Sequence, residues 1–96
     1  MLVLVTYDVS LTGISGQKRL RKVAKICQNY GVRVQNSVFE CVVDQTQYVF
    51  LKERLRKEIN EKEDSVRFYS LGNNYKEKVE HYGIQTAIQV EEPLIL

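Results

Sequence analysis

At 96 residues the chain is long enough for one domain with a single core and little to spare. Its 44% hydrophobic and 27% charged content is that of an ordinary globular protein, and no stretch approaches the roughly 20 apolar residues that cross a bilayer. The net charge is only +2, but residues 1–44 hold six bases against three acids while the rest holds eight against nine. The place to meet a polyanion is therefore the amino-terminal half.

The first ten residues, MLVLVTYDVS, begin with an unbroken apolar run and continue in strand-favouring types. Without a basic leader or a small-residue cleavage site, this run reads as structure rather than as a signal peptide, in keeping with a cytoplasmic protein. A run of this length before a Ser/Gly-bearing loop reads as a strand buried on both faces. Asp8 falls at its carboxyl end. A carboxylate there can hold a cation or substrate, or it can accept hydrogen bonds from loop amides as the chain turns.

The loop from Ser10 to Gly16 lacks the GxxxxGK[ST] pattern, which excludes a P-loop. Ser15 is placed to cap the next helix, expected over 17–30 and ended by Gly31 as a left-handed cap. Leu20, Val23, Ala24 and Cys27 recur at helical spacing and form its apolar stripe. Lys18, Arg19, Arg21, Lys22 and Lys25 fill the rest with no acid among them. A merely solvated face normally carries both signs and gains from opposite-charge i,i+4 pairs. This one forgoes them, so phosphate contact stands beside the solvated reading.

Residues 32–43 are β-branched and aromatic, with Asn36-Ser37 as a two-residue turn, so strands are expected near 32–35 and 38–43. One long bent strand is the competing reading, which periodicity does not separate. Asp44 and Thr46 mark a second helix start. Tyr48, Leu51, Leu55 and Ile59 give its stripe to about Lys62, and mixed charges on the outer face can pair internally. Ser65 to Leu71 alternates as a fourth strand, closed by Gly72-Asn73-Asn74. Cys27 and Cys41 lack CxxC spacing and sit in apolar segments, which makes them buried free thiols.

Strand, helix, strand, strand, helix, strand is the order of an α+β ferredoxin-like sandwich, in which one antiparallel sheet has both helices on one face. The whole chain forms one domain, and 75–96 is an extension with strand signals at 78–82 and 86–90. Its proline-led Leu94-Ile95-Leu96 ending would be a liability in water, so the extension is expected to pack outside its own core. A first strand apolar on both faces and spare strand-forming residues together point to a homodimer, sheet facing sheet, with each extension added to the partner's edge.

VLVTYDVS, KRLRKVAKICQNYGVRVQNSVFEC and DSVRFYSLG resemble the small CRISPR-associated protein 2 family, as does the EEPLIL ending. YG-x-R-V-Q-x-SVFE is the most specific part, because strand patterning does not dictate those residues. The resemblance implies a ferredoxin-like protomer in a symmetric homodimer, with Asp8 of both chains meeting at the two-fold and able to hold a divalent metal. It also implies a role in spacer acquisition beside the CRISPR integrase. Two activities follow from it: a metal-dependent endonuclease on single-stranded RNA or duplex DNA, or a non-catalytic scaffold with duplex DNA laid across a basic surface.

Carried over by position, Tyr7 and Asp8 match the family's strand-end pair. Arg19 and Arg21 match its helix bases, and Arg33, Ser37 and Phe39 its middle motif. Magnesium or manganese is the expected cofactor, since magnesium takes one or two carboxylates and otherwise water. Asp8 is then the catalytic and metal-holding residue, with Arg19, Arg21 and Arg33 on phosphate. Tyr7, Ser37 and Phe39 support, the two aromatics more as core than as stacking platforms. Glu40 and Asp44 read as surface or cap residues, and His81, the lone histidine, as no general base.

Overall fold

Apolar residues alternate in the strands and recur every three or four positions in the helices, and the fold follows that pattern. A computed structural model describes residues 1–9 and 14–84. Its elements are β1 (Leu2–Val9), α1 (Ile14–Gln28), β2 (Gly31–Gln35), β3 (Val38–Val42), α2 (Gln45–Glu58) and β4 (Asp64–Gly72). The four strands make one sheet in the order β2-β3-β1-β4, with every neighbouring pair antiparallel. This is the ferredoxin-like α+β topology expected. The hairpin is real too, with Asn36-Ser37 at its tip.

Both helices cover one face. Val3, Val5 and Tyr7 of β1 meet Phe39 and Cys41 of β3 there, under Leu20, Val23, Ala24 and Cys27 of α1 and Leu51 and Leu55 of α2. Each such aliphatic or aromatic side chain contributes about 1.5–3 kcal/mol on leaving water, which is why the periodic positions decide the fold. Burial of β1 on both faces does not hold in the single chain. Of the strand's own open-face residues only Leu2 is buried, Leu4 and Thr6 are half-buried, and Asp8 is exposed. Two helices on one side of a sheet leave the other side uncovered.

Asp44 caps α2 through a reciprocal capping box. Its carboxylate accepts the Gln47 N–H at 2.7 Å, while Gln47 Oε1 accepts the Asp44 N–H at 2.9 Å. The helix stops at Glu58, short of Lys62, because Asn60 organises a turn: its carbonyl accepts the N–H groups of Glu63 and Asp64. The ion pairs of its outer face run to Glu61 and to Lys22 rather than between i,i+4 neighbours.

Two local expectations fail at α1. It begins at Ile14, so Ser15 sits inside its first turn and is not the cap. Gly31 is no left-handed cap either; it opens β2, and among the described glycines only Gly72 and Gly83 have positive φ. A Cβ on Gly31 would lie 1.9 Å from the Glu40 carbonyl oxygen and 2.6 Å from Cys41 Cα, so its glycine serves the close approach of β3.

Of the extension, residues 75–84 are described. Lys76–Lys78 form a turn closed by the Lys78 N–H on the Tyr75 carbonyl, so 78–82 joins no ladder in the single chain. Tyr75, Lys76 and Val79 instead share a hollow with Leu2, Val32, Glu40 and Val42, which puts the start of the extension against its own open face. The signal at 86–90 and the Leu-Ile-Leu ending lie outside the described residues.

Candidate functional site

Because β1 is central and its side chains alternate, Tyr7 and Asp8 are sent to opposite faces. Asp8 stands exposed on the open face, opposite Ser65 of β4. It lines a shallow hollow of about 300 Å³ with Thr6, Tyr7, Ser37, Ser65 and Arg67. The Tyr7 N–H donates to the Ser37 carbonyl at 2.9 Å, which ties the hairpin tip to the strand end carrying Asp8.

Tyr7 enters the covered face, where its hydroxyl donates to Asp64 Oδ2 at 2.6 Å. The same oxygen accepts Arg19 Nε at 2.7 Å and the Asn60 N–H at 2.9 Å, while Oδ1 accepts Arg19 Nη2 at 3.0 Å. Arg19 Nη2 also reaches Glu63 Oε1 at 3.3 Å. The Asp64 side chain is 0% exposed and that of Arg19 15%. Burial works to raise the Asp64 pKa, but the Arg19, Asn60 and Tyr7 hydrogen bonds outweigh it and hold the carboxyl below its ordinary value. Burial first, and the Asp64 carboxylate second, push the Tyr7 phenol well above its ordinary range, so it remains a donor.

Arg19, expected on phosphate, has its fork engaged bidentately inside the protomer. Its place on α1 explains the difference. At about 100° per residue, Lys18, Arg21, Lys22 and Lys25 share one arc of the helix, whereas Arg19 falls beside the buried Ile26. Arg21 is exposed. Among the described residues Lys18, Arg21 and Lys25 make no ion pair, and Lys22 reaches Glu58 only at 4.0 Å.

Arg33 braces the hairpin. Its Nε donates to the Asn36 carbonyl at 2.7 Å and its guanidinium lies 5.6 Å from the Phe39 ring centre. Phe39 itself is fully buried in the core, so it is no stacking platform. The structure thus brings Asp8 and Ser37 to one hollow, leaves Arg21 on the opposite layer, buries Phe39 in the core, and gives Arg19 and Arg33 hydrogen bonds within the protomer. Sequence reasoning passed over three residues here. Ser65 and Arg67 share the face of Asp8 by strand alternation, a legible signal; Asp64 gave none, since only the fold carries it to Arg19.

Glu40 is half-buried on β3, and His81 is exposed in the extension, its Nε2 2.9 Å from the Gly83 carbonyl. Cys27 and Cys41 are free and buried, with Cys41 Sγ 3.6 Å from the Cys27 carbonyl. Among the described residues no group of three or more His, Cys, Asp or Glu side chains is placed to hold a metal ion. The donors around Asp8 are a carboxylate and hydroxyls, hard oxygen ligands without nitrogen or sulfur. They fit magnesium or manganese held largely by water, with one carboxylate supplied per chain.

Fold and site define a small ferredoxin-like protein with a carboxylate on its open sheet face and a cationic helix on the covered one. The sequence model of the family described as CRISPR associated protein Cas2 matches residues 1–79. The chain is 63% identical over 99% of both sequences to a CRISPR-associated endonuclease Cas2 of Halalkalibacterium halodurans. It is 56% identical to a CRISPR-associated endoribonuclease Cas2 of Nitratidesulfovibrio vulgaris, covering 100% of this chain and 94% of that one. The crystal structure of Streptococcus pyogenes Cas2 at pH 6.5 superposes with a TM-score of 0.79 at 57% identity, covering 86% of this chain and 100% of that one. A hypothetical protein of Thermus thermophilus gives 0.71 at 31% identity, over 92% and 95%. The chain belongs to the CRISPR-associated Cas2 family.

Proposed function

We propose that the protein acts in CRISPR adaptation as a symmetric homodimer, beside the CRISPR integrase, and that it is a divalent-metal-dependent endonuclease acting on duplex DNA or single-stranded RNA. The observation that carries the reading is Asp8: an exposed carboxylate at the end of a central strand, in an oxygen-lined hollow that also holds a cation, Arg67. The apolar open face supports the dimer. Val42 and Tyr69 there are 43% and 41% exposed, and a second copy laid sheet to sheet would cover them and pair the two Asp8 residues. Magnesium or manganese, when bound, supplies an acidified water and neutralises charge on the phosphate. Asp8 holds and orients that cation, Arg67 balances phosphate charge in the same hollow, and Ser37 and Ser65 offer hydroxyls to the phosphate oxygens. Arg21, with Lys18 and Lys25, steers and holds the backbone of the nucleic acid.

A non-catalytic DNA scaffold is the second reading, favoured by the cationic arc of α1, which binds phosphate without any need of Asp8. Pure wild-type and Asp8→Ala protein, assayed side by side on duplex DNA and single-stranded RNA with magnesium, manganese or EDTA, separate the two. The nuclease reading expects cleavage that EDTA and Asp8→Ala both abolish while duplex binding persists. Cleavage equal in both proteins, or at background in both, leaves the scaffold. Light scattering should report a dimer at micromolar concentration; a stable monomer removes the paired site.

A further inference from the structure

Arg19 and Asp64 grip β1 on either side of Asp8. Asp64 is the cross-strand partner of Val9, the residue after Asp8, and its Oδ2 takes the hydroxyl of Tyr7, the residue before. Arg19 brings α1 into the same knot through two hydrogen bonds to one carboxylate, at 2.7 and 3.0 Å. The Asn60 N–H, at 2.9 Å, adds the turn that leads into β4. One buried carboxylate thus ties the end of β1, helix α1 and the start of β4, the three elements that place Asp8, Ser65 and the basic arc.

A bidentate guanidinium–carboxylate pair fixes both distance and plane, so it sets geometry more tightly than a point charge would. We infer that Arg19, Asp64 and the Tyr7 hydroxyl are positioning residues, which hold the Asp8 backbone and the cationic helix in register while touching no nucleic acid themselves. The inference rests on the nuclease reading of Asp8 for its kinetic arm and on duplex binding alone for its other arm. It assigns Arg19 a role different from that of Arg21, although both are arginines two positions apart on one helix.

The test measures metal-dependent cleavage and duplex affinity across a salt series for the full chain carrying Arg19→Ala, Asp64→Ala, Tyr7→Phe or Arg21→Ala. Positioning expects kcat to fall about tenfold or more for Arg19→Ala and Asp64→Ala with KM within about twofold, as misplacement near 1 Å costs up to ~100-fold. Tyr7→Phe, which keeps the ring and the ion pair, loses a few-fold in kcat and carries this arm should Asp64→Ala unfold. The slope of log affinity against log salt stays at the wild-type value for Arg19→Ala and drops by about one for Arg21→Ala. A slope that falls by about one for Arg19→Ala, or a raised KM at retained kcat, overturns the inference; so does an Asp64→Ala or Tyr7→Phe protein that cleaves as wild type. If Asp8→Ala also cleaves as wild type, the nuclease reading fails instead, and the salt slopes alone decide whether Arg19 meets phosphate.

Discussion

Asp8 and Asp64 stand one register step apart across the β1–β4 ladder, yet they live in opposite worlds. Asp64 is enclosed between sheet and helix, with a guanidinium, a phenol and a backbone amide on its two oxygens. Asp8 is exposed, in a hollow of hydroxyls and one cation. Two like residues therefore do unlike work. The buried one can be ionised only because its neighbours replace the water it lost. The exposed one keeps its water, and with it the freedom to take a ligand.

Stability should divide the pair most sharply. Asp64→Ala leaves the Arg19 guanidinium and the Tyr7 hydroxyl facing a void, and breaking a buried pair in this way costs about 3 kcal/mol, the low end of the usual range because Arg19 keeps some contact with water. Asp8→Ala should change unfolding free energy by no more than about 0.5 kcal/mol, as exposed substitutions do. Urea denaturation of both variants checks this, and equal losses would erase the distinction.

Acid sharpens the same contrast. The folded-state pKa of Asp64 is depressed, so on lowering the pH the unfolded chain, with carboxyls near about 3.9, takes up the proton first. The cluster's contribution is therefore complete above about pH 4 and is lost as pH falls through the folded value. Asp64→Asn should be less stable than wild type at pH 7, and the gap should narrow toward pH 3. A gap that is constant with pH would mean that the ion pair is not what Asp64 contributes.

Smaller effects fall on the open face. Arg67→Ala, in the hollow with Asp8, should weaken nucleic-acid binding or raise KM a few-fold with stability within about 0.5 kcal/mol, measured by cleavage kinetics and thermal melts. The smallest signal concerns the thiols. Cys27 is pushed far above its ordinary pKa by its hydrogen bond with Cys41 and by burial, and Cys41 is itself fully buried, so a thiol reagent at pH 8 should reach neither until the chain unfolds. Rapid labelling of folded protein would show the core to be open on that timescale.

Much of this was legible in the residues. The stripes Leu20–Val23–Ala24–Cys27 and Leu51–Leu55 became buried helix faces, the Asn36-Ser37 turn joined two strands, and Asp44 capped α2. All depend on contacts within a few residues, which spacing encodes directly. Asp8 at a strand end was visible for the same reason. Arg19 could have been separated from Arg21 by its place on the helix, since it borders the buried arc beside Ile26. Counting bases along the segment concealed that.

Other features had no local trace. Gly31 looked like a helix cap because it follows a helix, whereas its missing side chain makes room for the β3 backbone. The strand signal at 78–82 describes residues able to pair, but a ladder needs an edge in the right place, and the single chain brings that segment to a turn over its own sheet. By itself, then, the sequence determined the six core elements, their order, the faces the two helices bury and the carboxylate at the end of β1, because side-chain period and local hydrogen bonding act over short range. Only the tertiary structure decided which carboxylate Arg19 meets. Arg19 and Asp64 are 45 residues apart, and nothing short of the packed sheet and helix brings a guanidinium to a carboxylate over that separation.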